Sequence, residues 1–75
     1  MEIKRVDGYF KHGCSFTGKL AVIDYSEDWK RHPHYGEFGS MSMFDISEKA
    51  EKLAKERYPN CEILLSIPDL VIRIE

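Results

Sequence analysis

Two pairs of potential metal ligands, each separated by a single residue, are the first feature of this 75-residue chain that could do chemistry. His12 and Cys14 form one pair, and His32 and His34 form the other. Zinc accepts imidazole nitrogen and thiolate sulfur in a tetrahedral site, which would stabilise a small domain. Structural zinc pairs are usually spaced more widely, however, and His and Cys are common in surface loops. A zinc site is therefore only an alternative, and we predict neither a metal nor another cofactor.

Nucleophilic catalysis by Cys14 is the other chemistry that these residues suggest. A thiolate nucleophile needs an activated thiol and an oriented base, and the sequence indicates neither. The chain also contains no GxSxG motif, P-loop, dinucleotide-binding fingerprint or HExxH motif. We therefore predict that the protein is not an enzyme.

A short segment that interleaves aromatic and basic side chains is the stronger candidate for a site. Its members are Trp29, Lys30, Arg31, His32, His34 and Tyr35. Trp, Tyr and Arg are the residue types enriched at the energetic centres of protein interfaces. We therefore predict a non-catalytic protein-interaction module, a small regulator, inhibitor or accessory subunit that docks on a partner protein.

The same segment leaves two other interpretations open. Aromatic and basic side chains also stack on bases and contact phosphates, so a nucleic-acid-binding module that uses residues 29–35 is the alternative function. A net charge of −2 disfavours it. The simplest interpretation is that Trp29 packs on the core as an anchor of the loop while the charged side chains are solvated.

The composition predicts one small globular domain that spans residues 1–75. A hydrophobic fraction of 43% and a charged fraction of 32% are ordinary for a folded chain. No apolar run approaches the roughly 18 residues of a membrane span, and the N-terminus lacks the apolar block of a signal peptide. We therefore expect a cytoplasmic protein that does not enter a membrane, with Cys14 and Cys61 as free thiols.

The clearest structural signal is an amphipathic helix from Asp45 to Tyr58. Asp45 and Glu48 have the spacing of a capping box, and Pro59 follows the predicted end. The apolar stripe of the helix consists of Ile46, Ala50, Leu53, Ala54 and Tyr58. The opposite face carries Glu and Lys, which we interpret as a solvated surface.

Runs of alternating or continuous apolar residues around this helix predict strands. They cover residues 1–10, 16–25, 37–44, 61–67 and 70–75. Gly8 indicates a bulge in the first strand. Residues 26–29 resemble a single helical turn capped by Ser26, and the last two strands are predicted to form a hairpin around Pro68 and Asp69, with one bent strand as the alternative.

These elements predict an α+β fold of the order ββ(β)αββ, in which one helix packs on one face of an antiparallel sheet of four or five strands. The predicted core is Ile3, Val6, Phe16, Leu20, Val22, Ile46, Leu53, Ala54, Ile63, Leu65, Ile67, Ile72 and Ile74. One helix covers only one sheet face, so the other must be shielded by polar residues, by curling or by another molecule. A homodimer through an exposed strand, 70–75 or 37–44, is compatible with either function.

Overall fold

A computed structural model describes residues 1–11 and 13–74 and shows the predicted α+β fold. The elements of these residues are β1 (Ile3–Lys11), β2 (Cys14–Ile23), α1 (Ser26–Lys30), α2 (Ser42–Arg57), β3 (Glu62–Leu65) and β4 (Leu70–Arg73). The four described strands form one antiparallel sheet in the order β1-β2-β4-β3. Neither described helix is long and apolar enough to cross a membrane.

The N-cap of the helix α2 is Met41, four residues before the N-cap that the capping-box pattern predicts. Asp45 lies inside the first turn, where its backbone N–H donates to the carbonyl of Met41 at 3.0 Å. The predicted capping box is therefore wrong, and the helix has Met41 at its N-cap without a side-chain cap. The Asp45 side chain is left available for a contact outside the helix.

The predicted strand over residues 37–44 is also wrong. Its second half is the first turn of α2, and its first half is a series of turns that contains Gly39 at a φ of 76°. Gly36, just before it, has a φ of 81°. Such positive φ values interrupt an extended chain and favour glycine. The alternation of Ser and Met was too short to distinguish a period of two from the first turn of a helix.

The hairpin of β1 and β2 is irregular beside Gly8, as predicted, but the extra residue lies in β2 and not in the first strand. Val6 lies opposite Leu20, but Gly8 lies opposite Thr17, so β2 has one extra residue at this point. Gly18, with a φ of 105°, is part of that bulge. His12, one of the candidate metal ligands, lies outside the described residues.

The predicted hairpin of the last two strands is confirmed, and the single bent strand is not. β3 and β4 pair antiparallel, and β4 also pairs with β2, so β4 lies inside the sheet. The two strands that we considered for self-association, 70–75 and 37–44, are therefore not exposed edges. The true edges are β3, which is short, and β1, which carries charged side chains; both features discourage edge pairing.

The core lies mainly between α2 and the sheet. Tyr25, the N-cap of α1, is buried in it, and its hydroxyl donates to the backbone oxygen of Ser66 at 2.6 Å. The buried members of this cluster are Ala21, Ile23, Tyr25, Ile46, Ala50, Ala54, Leu70 and Ile72. Of the predicted core, Leu20, Ile46, Ala54 and Ile72 are buried. The others are only partly buried, namely Ile3, Val6, Phe16, Val22, Leu53, Ile63, Leu65, Ile67 and Ile74.

Two buried side chains belong to neither this cluster nor the helix side of the sheet. Leu20 and Val71 are fully buried, yet each is adjacent in its strand to a residue that faces α2. The centre of the far sheet face is therefore covered. A sheet whose first hairpin bends strongly covers part of its own surface, which accounts for this burial without a second helix.

Candidate functional site

The segment between α1 and α2 is anchored by Trp29, which lies near the end of α1. The indole ring is partly buried against the core cluster, and Nε1 donates a hydrogen bond to Oγ of Ser42 at 2.9 Å. Ser42 is itself buried and also accepts a hydrogen bond from the hydroxyl of Ser40 at 2.8 Å. Trp29 thus joins α1 to the start of α2, which supports the interpretation of Trp29 as an anchor.

Tyr35 packs on this anchor. Its ring meets the Trp29 ring edge-on, with ring centroids 4.7 Å apart and an angle of 81° between the planes. Aromatic pairs favour this arrangement. Tyr35 nevertheless remains 43% exposed, so one surface of the ring faces solvent.

His32 connects the segment to α2 through Asp45. Nε2 of His32 lies 3.3 Å from Oδ2 of Asp45, and Nδ1 accepts a hydrogen bond from the backbone N–H of His34 at 3.0 Å. The imidazole of His32 thus bridges the segment and the first turn of α2. Both ring nitrogens are already engaged by these contacts.

The remaining members of the predicted site face solvent. Nδ1 of His34 lies 2.9 Å from Oε2 of Glu37, and Nζ of Lys30 lies 3.4 Å from Oε1 of Glu27. Arg31 is exposed. The structure thus divides the six predicted residues into two that hold the segment in place, Trp29 and His32, and four that reach its surface.

Large apolar side chains that we did not predict as a site lie immediately after this segment. Phe38 is fully exposed, Met41 is 61% exposed and Phe44 is 50% exposed. Together with Tyr35 they form what we call the apolar patch, four residues between positions 35 and 44. Sequence reasoning missed it because these side chains were assigned to the two faces of a strand that does not form.

A groove of 510 Å³ lies on the polar side of α2. It is lined by His32, Asp45, Glu48, Lys49, Glu51, Lys52 and Lys55. Three acidic and three lysine side chains balance one another there, so the groove has no preference for a ligand of either sign. We assign it no ligand.

The described residues contain no group of three or more His, Cys, Asp or Glu side chains that could hold a metal ion. His12, one of the four candidate ligands, lies outside them. Cys14 and Cys61 are free and partly buried. The free thiols agree with the expectation from the sequence.

Asp69, the one buried acidic group among the residues that the structure describes, takes part in a structural contact. Its Oδ2 accepts a hydrogen bond from the hydroxyl of Tyr9 at 3.0 Å and lies 3.3 Å from Nζ of Lys11. Burial, with the hydrogen bond to Asp69, raises the pKa of Tyr9 to about 12. A phenol that is harder to ionise than usual is not activated as a base or nucleophile, so these contacts hold the hairpin in position.

No family model, curated protein sequence or solved structure matches this chain.

Proposed function

We propose that the protein is a small, non-catalytic interaction module that docks on a partner protein through the apolar patch. The observation that carries this proposal is the exposure of four large apolar side chains, Tyr35, Phe38, Met41 and Phe44, within one short stretch of the chain. Aromatic residues and Met are enriched in the buried centres of protein interfaces, and clustered exposure of such side chains typically marks an interaction site.

The segment that carries these exposed side chains is itself folded and is fixed by contacts at both of its ends. At one end Trp29 contacts Tyr35 and Ser42, and at the other the backbone of Met41 begins α2. A surface that is held in place before binding loses less conformational entropy when it docks. Burying one large apolar side chain contributes roughly 1.5–3 kcal/mol, so three or four of them would support a specific interface.

Nucleic-acid binding, the alternative function, has less support from the same surface. Exposed aromatic rings are present, but acidic side chains outnumber basic ones in residues 26–48, five to two. One of the two basic residues, Lys30, is paired with Glu27. Phosphate contacts require a surplus of Lys and Arg, which this surface lacks.

Regulator, inhibitor and accessory subunit remain the roles that fit such a module. Two free cysteines are typical of a reducing compartment, so we propose that the module acts in the cytoplasm. The proposed function involves no catalysis and no cofactor.

Affinity capture from nuclease-treated extract of the host cell tests the proposal. The wild type is compared with the double variant Phe38→Ser/Met41→Ser, in which the centre of the patch becomes polar. Phe10→Ser is the matched control, because Phe10 is 82% exposed but lies at the distant tip of the β1–β2 hairpin. We expect the wild type and the control to retain the same partner protein and the double variant to lose it. Identical partner sets for all three proteins would contradict the proposal.

A further inference from the structure

The outer part of the β1–β2 hairpin lies beyond the strand pairing that builds the rest of the sheet. β4 pairs with β2 over residues 20–23, and the bulge that contains Gly18 follows directly. Residues 8–11 and 13–17, which we call the strap, pair with each other and with no third strand among the described residues. Backbone pairing therefore fixes the inside of the strap but not its position on the domain.

One face of the strap nevertheless lies against the domain. Tyr9 and Phe16 are paired across it, and their rings stack with centroids 6.2 Å apart. Both side chains and that of Cys14 are partly buried, whereas Phe10, which points to the opposite face, is 82% exposed. A hairpin that projected freely into solvent would expose both faces. The face with Tyr9 and Phe16 is therefore turned toward the sheet.

The surface beneath the strap is the sheet face opposite α2. Leu70 and Ile72 belong to the buried cluster with α2, so Val71 between them points to the other face. Val71 and Leu20 are nevertheless fully buried. Trp29 of α1 packs on the α2 side and does not cover them. Among the described elements, the strap is therefore the one that covers this apolar surface.

Polar contacts with Asp69 hold the strap closed. Oδ2 of this buried carboxylate accepts a hydrogen bond from the Tyr9 hydroxyl at 3.0 Å and lies 3.3 Å from Nζ of Lys11. Both donors belong to the strap, whereas Asp69 lies in the turn before β4. Groups that separate here regain hydrogen bonds to water, so breaking these contacts costs less than unpacking the apolar core.

The bulge provides the hinge. Gly18 has a φ of 105°, and no heavy atom lies within 4 Å of the position that a Cβ atom would take there. Glycine changes its backbone angles without moving a side chain. A groove of 320 Å³ lies at the same bend, lined by Arg5, Val6, Asp7, Lys19, Leu20 and Ile74. The chain is therefore loosely surrounded at the point where the strap joins the sheet.

From these observations we infer that the strap is a hinged cover that opens about the bulge at Gly18. On opening it leaves Asp69 and uncovers the apolar surface of Val71 and Leu20, while α2 stays packed on the other face of the sheet. Such a local opening requires less free energy than global unfolding because fewer apolar contacts are lost. The inference goes beyond the proposed function, since it does not involve the apolar patch.

Thiol labelling at two adjacent positions of β4 tests this inference. Val71→Cys and Ile72→Cys are each made together with Cys14→Ser and Cys61→Ser, and the proteins are labelled with iodoacetamide under native conditions. Val71 is 0% and Ile72 1% exposed, on opposite faces of the sheet, so neither thiol reacts in the closed state. Urea unfolding of each variant gives the labelling rate that global unfolding alone would allow. We expect labelling at position 71 to exceed that rate at least ~10-fold, and labelling at position 72 to equal it.

Two further substitutions separate opening of the strap from global unfolding. Tyr9→Phe removes a hydrogen bond that exists only in the closed state, so labelling at both positions should accelerate by about 10-fold. Ile46→Val trims the core on the α2 side, which stays packed when the strap opens. It should accelerate labelling at position 72 by about fivefold and change labelling at position 71 by less than about twofold.

Labelling at position 71 that is no faster than global unfolding allows would overturn the inference, as would equal acceleration of both positions by Ile46→Val. Either result would mean that Val71 is uncovered only when the whole domain unfolds. Labelling as fast as in an unfolded peptide would also overturn it, because the strap would then not close. Leu20→Cys is a second reporter of the same face, used if Val71→Cys does not fold, and the same outcomes apply to it.

Discussion

Tyr9 and Asp69 are 60 positions apart in the sequence and are joined by a hydrogen bond of 3.0 Å from the tyrosine hydroxyl to the carboxylate. Tyr9 pairs with Phe16, whereas Asp69 precedes Leu70, which pairs with Ile23 at the other end of β2. In a straight strand these two ends would be about 23 Å apart, at roughly 3.3 Å per residue. The β1–β2 hairpin must therefore bend back toward the start of β4, and this contact holds it there.

The first prediction concerns that contact. Tyr9→Phe removes the hydroxyl and leaves the buried carboxylate of Asp69 with one hydrogen bond fewer. We expect the free energy of unfolding to fall by about 1–2 kcal/mol, since a hydrogen bond to a charged group contributes more than a neutral one. Urea unfolding followed by circular dichroism measures it. Tyr58→Phe is the control, because the Tyr58 hydroxyl forms no hydrogen bond with the described residues; equal losses in the two variants would contradict the prediction.

The second prediction concerns stability at high pH. Burial raises the pKa of both Tyr9 and Tyr25 from 10.0 to about 12, with further contributions from the nearby carboxylate of Asp69. The folded state therefore holds these protons more tightly than the unfolded state. The stability that results is fully present below pH 10 and is lost as the pH rises from 10 to 12.

Titration of tyrosinate absorbance, combined with urea unfolding across the same pH range, measures this effect. In Tyr9→Phe, one of the two tyrosine ionisations that occur at raised pH is absent. The free energy of unfolding therefore falls less steeply with pH than in the wild type. A slope that is the same in the wild type and the variant would show that Tyr9 does not contribute.

The third prediction concerns the anchor of the patch. Ser42→Ala leaves the partly buried indole N–H of Trp29 without its acceptor at 2.9 Å. An unsatisfied buried donor costs about 1–3 kcal/mol. We expect thermal melting at a lower temperature and faster amide hydrogen exchange over residues 32–41. Ser15→Ala, at an exposed strand position, serves as the control and should change neither quantity.

The fourth prediction separates stability from binding. Ile46 is 5% exposed in the core, whereas Phe38 is fully exposed. Ile46→Ala should lower the free energy of unfolding by about 2–5 kcal/mol, and Phe38→Ala should change it by no more than about 0.5 kcal/mol. A large loss of stability in Phe38→Ala would mean that this ring packs within the domain and is not available to a partner.

Local sequence patterns were sufficient for most of the fold. The apolar stripe with Ile46 and Ala54, the hairpin around Pro68 and the irregularity near Gly8 are each produced by residues close together in the chain. Periodicity and turn residues report such local preferences directly. They therefore predicted an antiparallel sheet with one main helix before any tertiary contact was known.

The boundaries between elements, and with them the candidate site, depended on contacts that no local pattern contains. Residues 37–44 form a loop and a helical turn for two reasons. Trp29 donates a hydrogen bond to Ser42, and the chain between these two residues is turned by Gly36 and Gly39. That arrangement orients Phe38 toward solvent, although its sequence context resembles a strand.

The anchoring roles within the predicted segment 29–35 were likewise decided only by the tertiary structure. Trp29 and His32 are of residue types that are suitable for recognition. The sequence by itself determined only that aromatic and basic side chains are clustered in residues 29–35. Their partners Ser42 and Asp45 lie on α2. A side chain faces inward or outward according to the partner that folding brings to it, and that partner can be distant in the sequence.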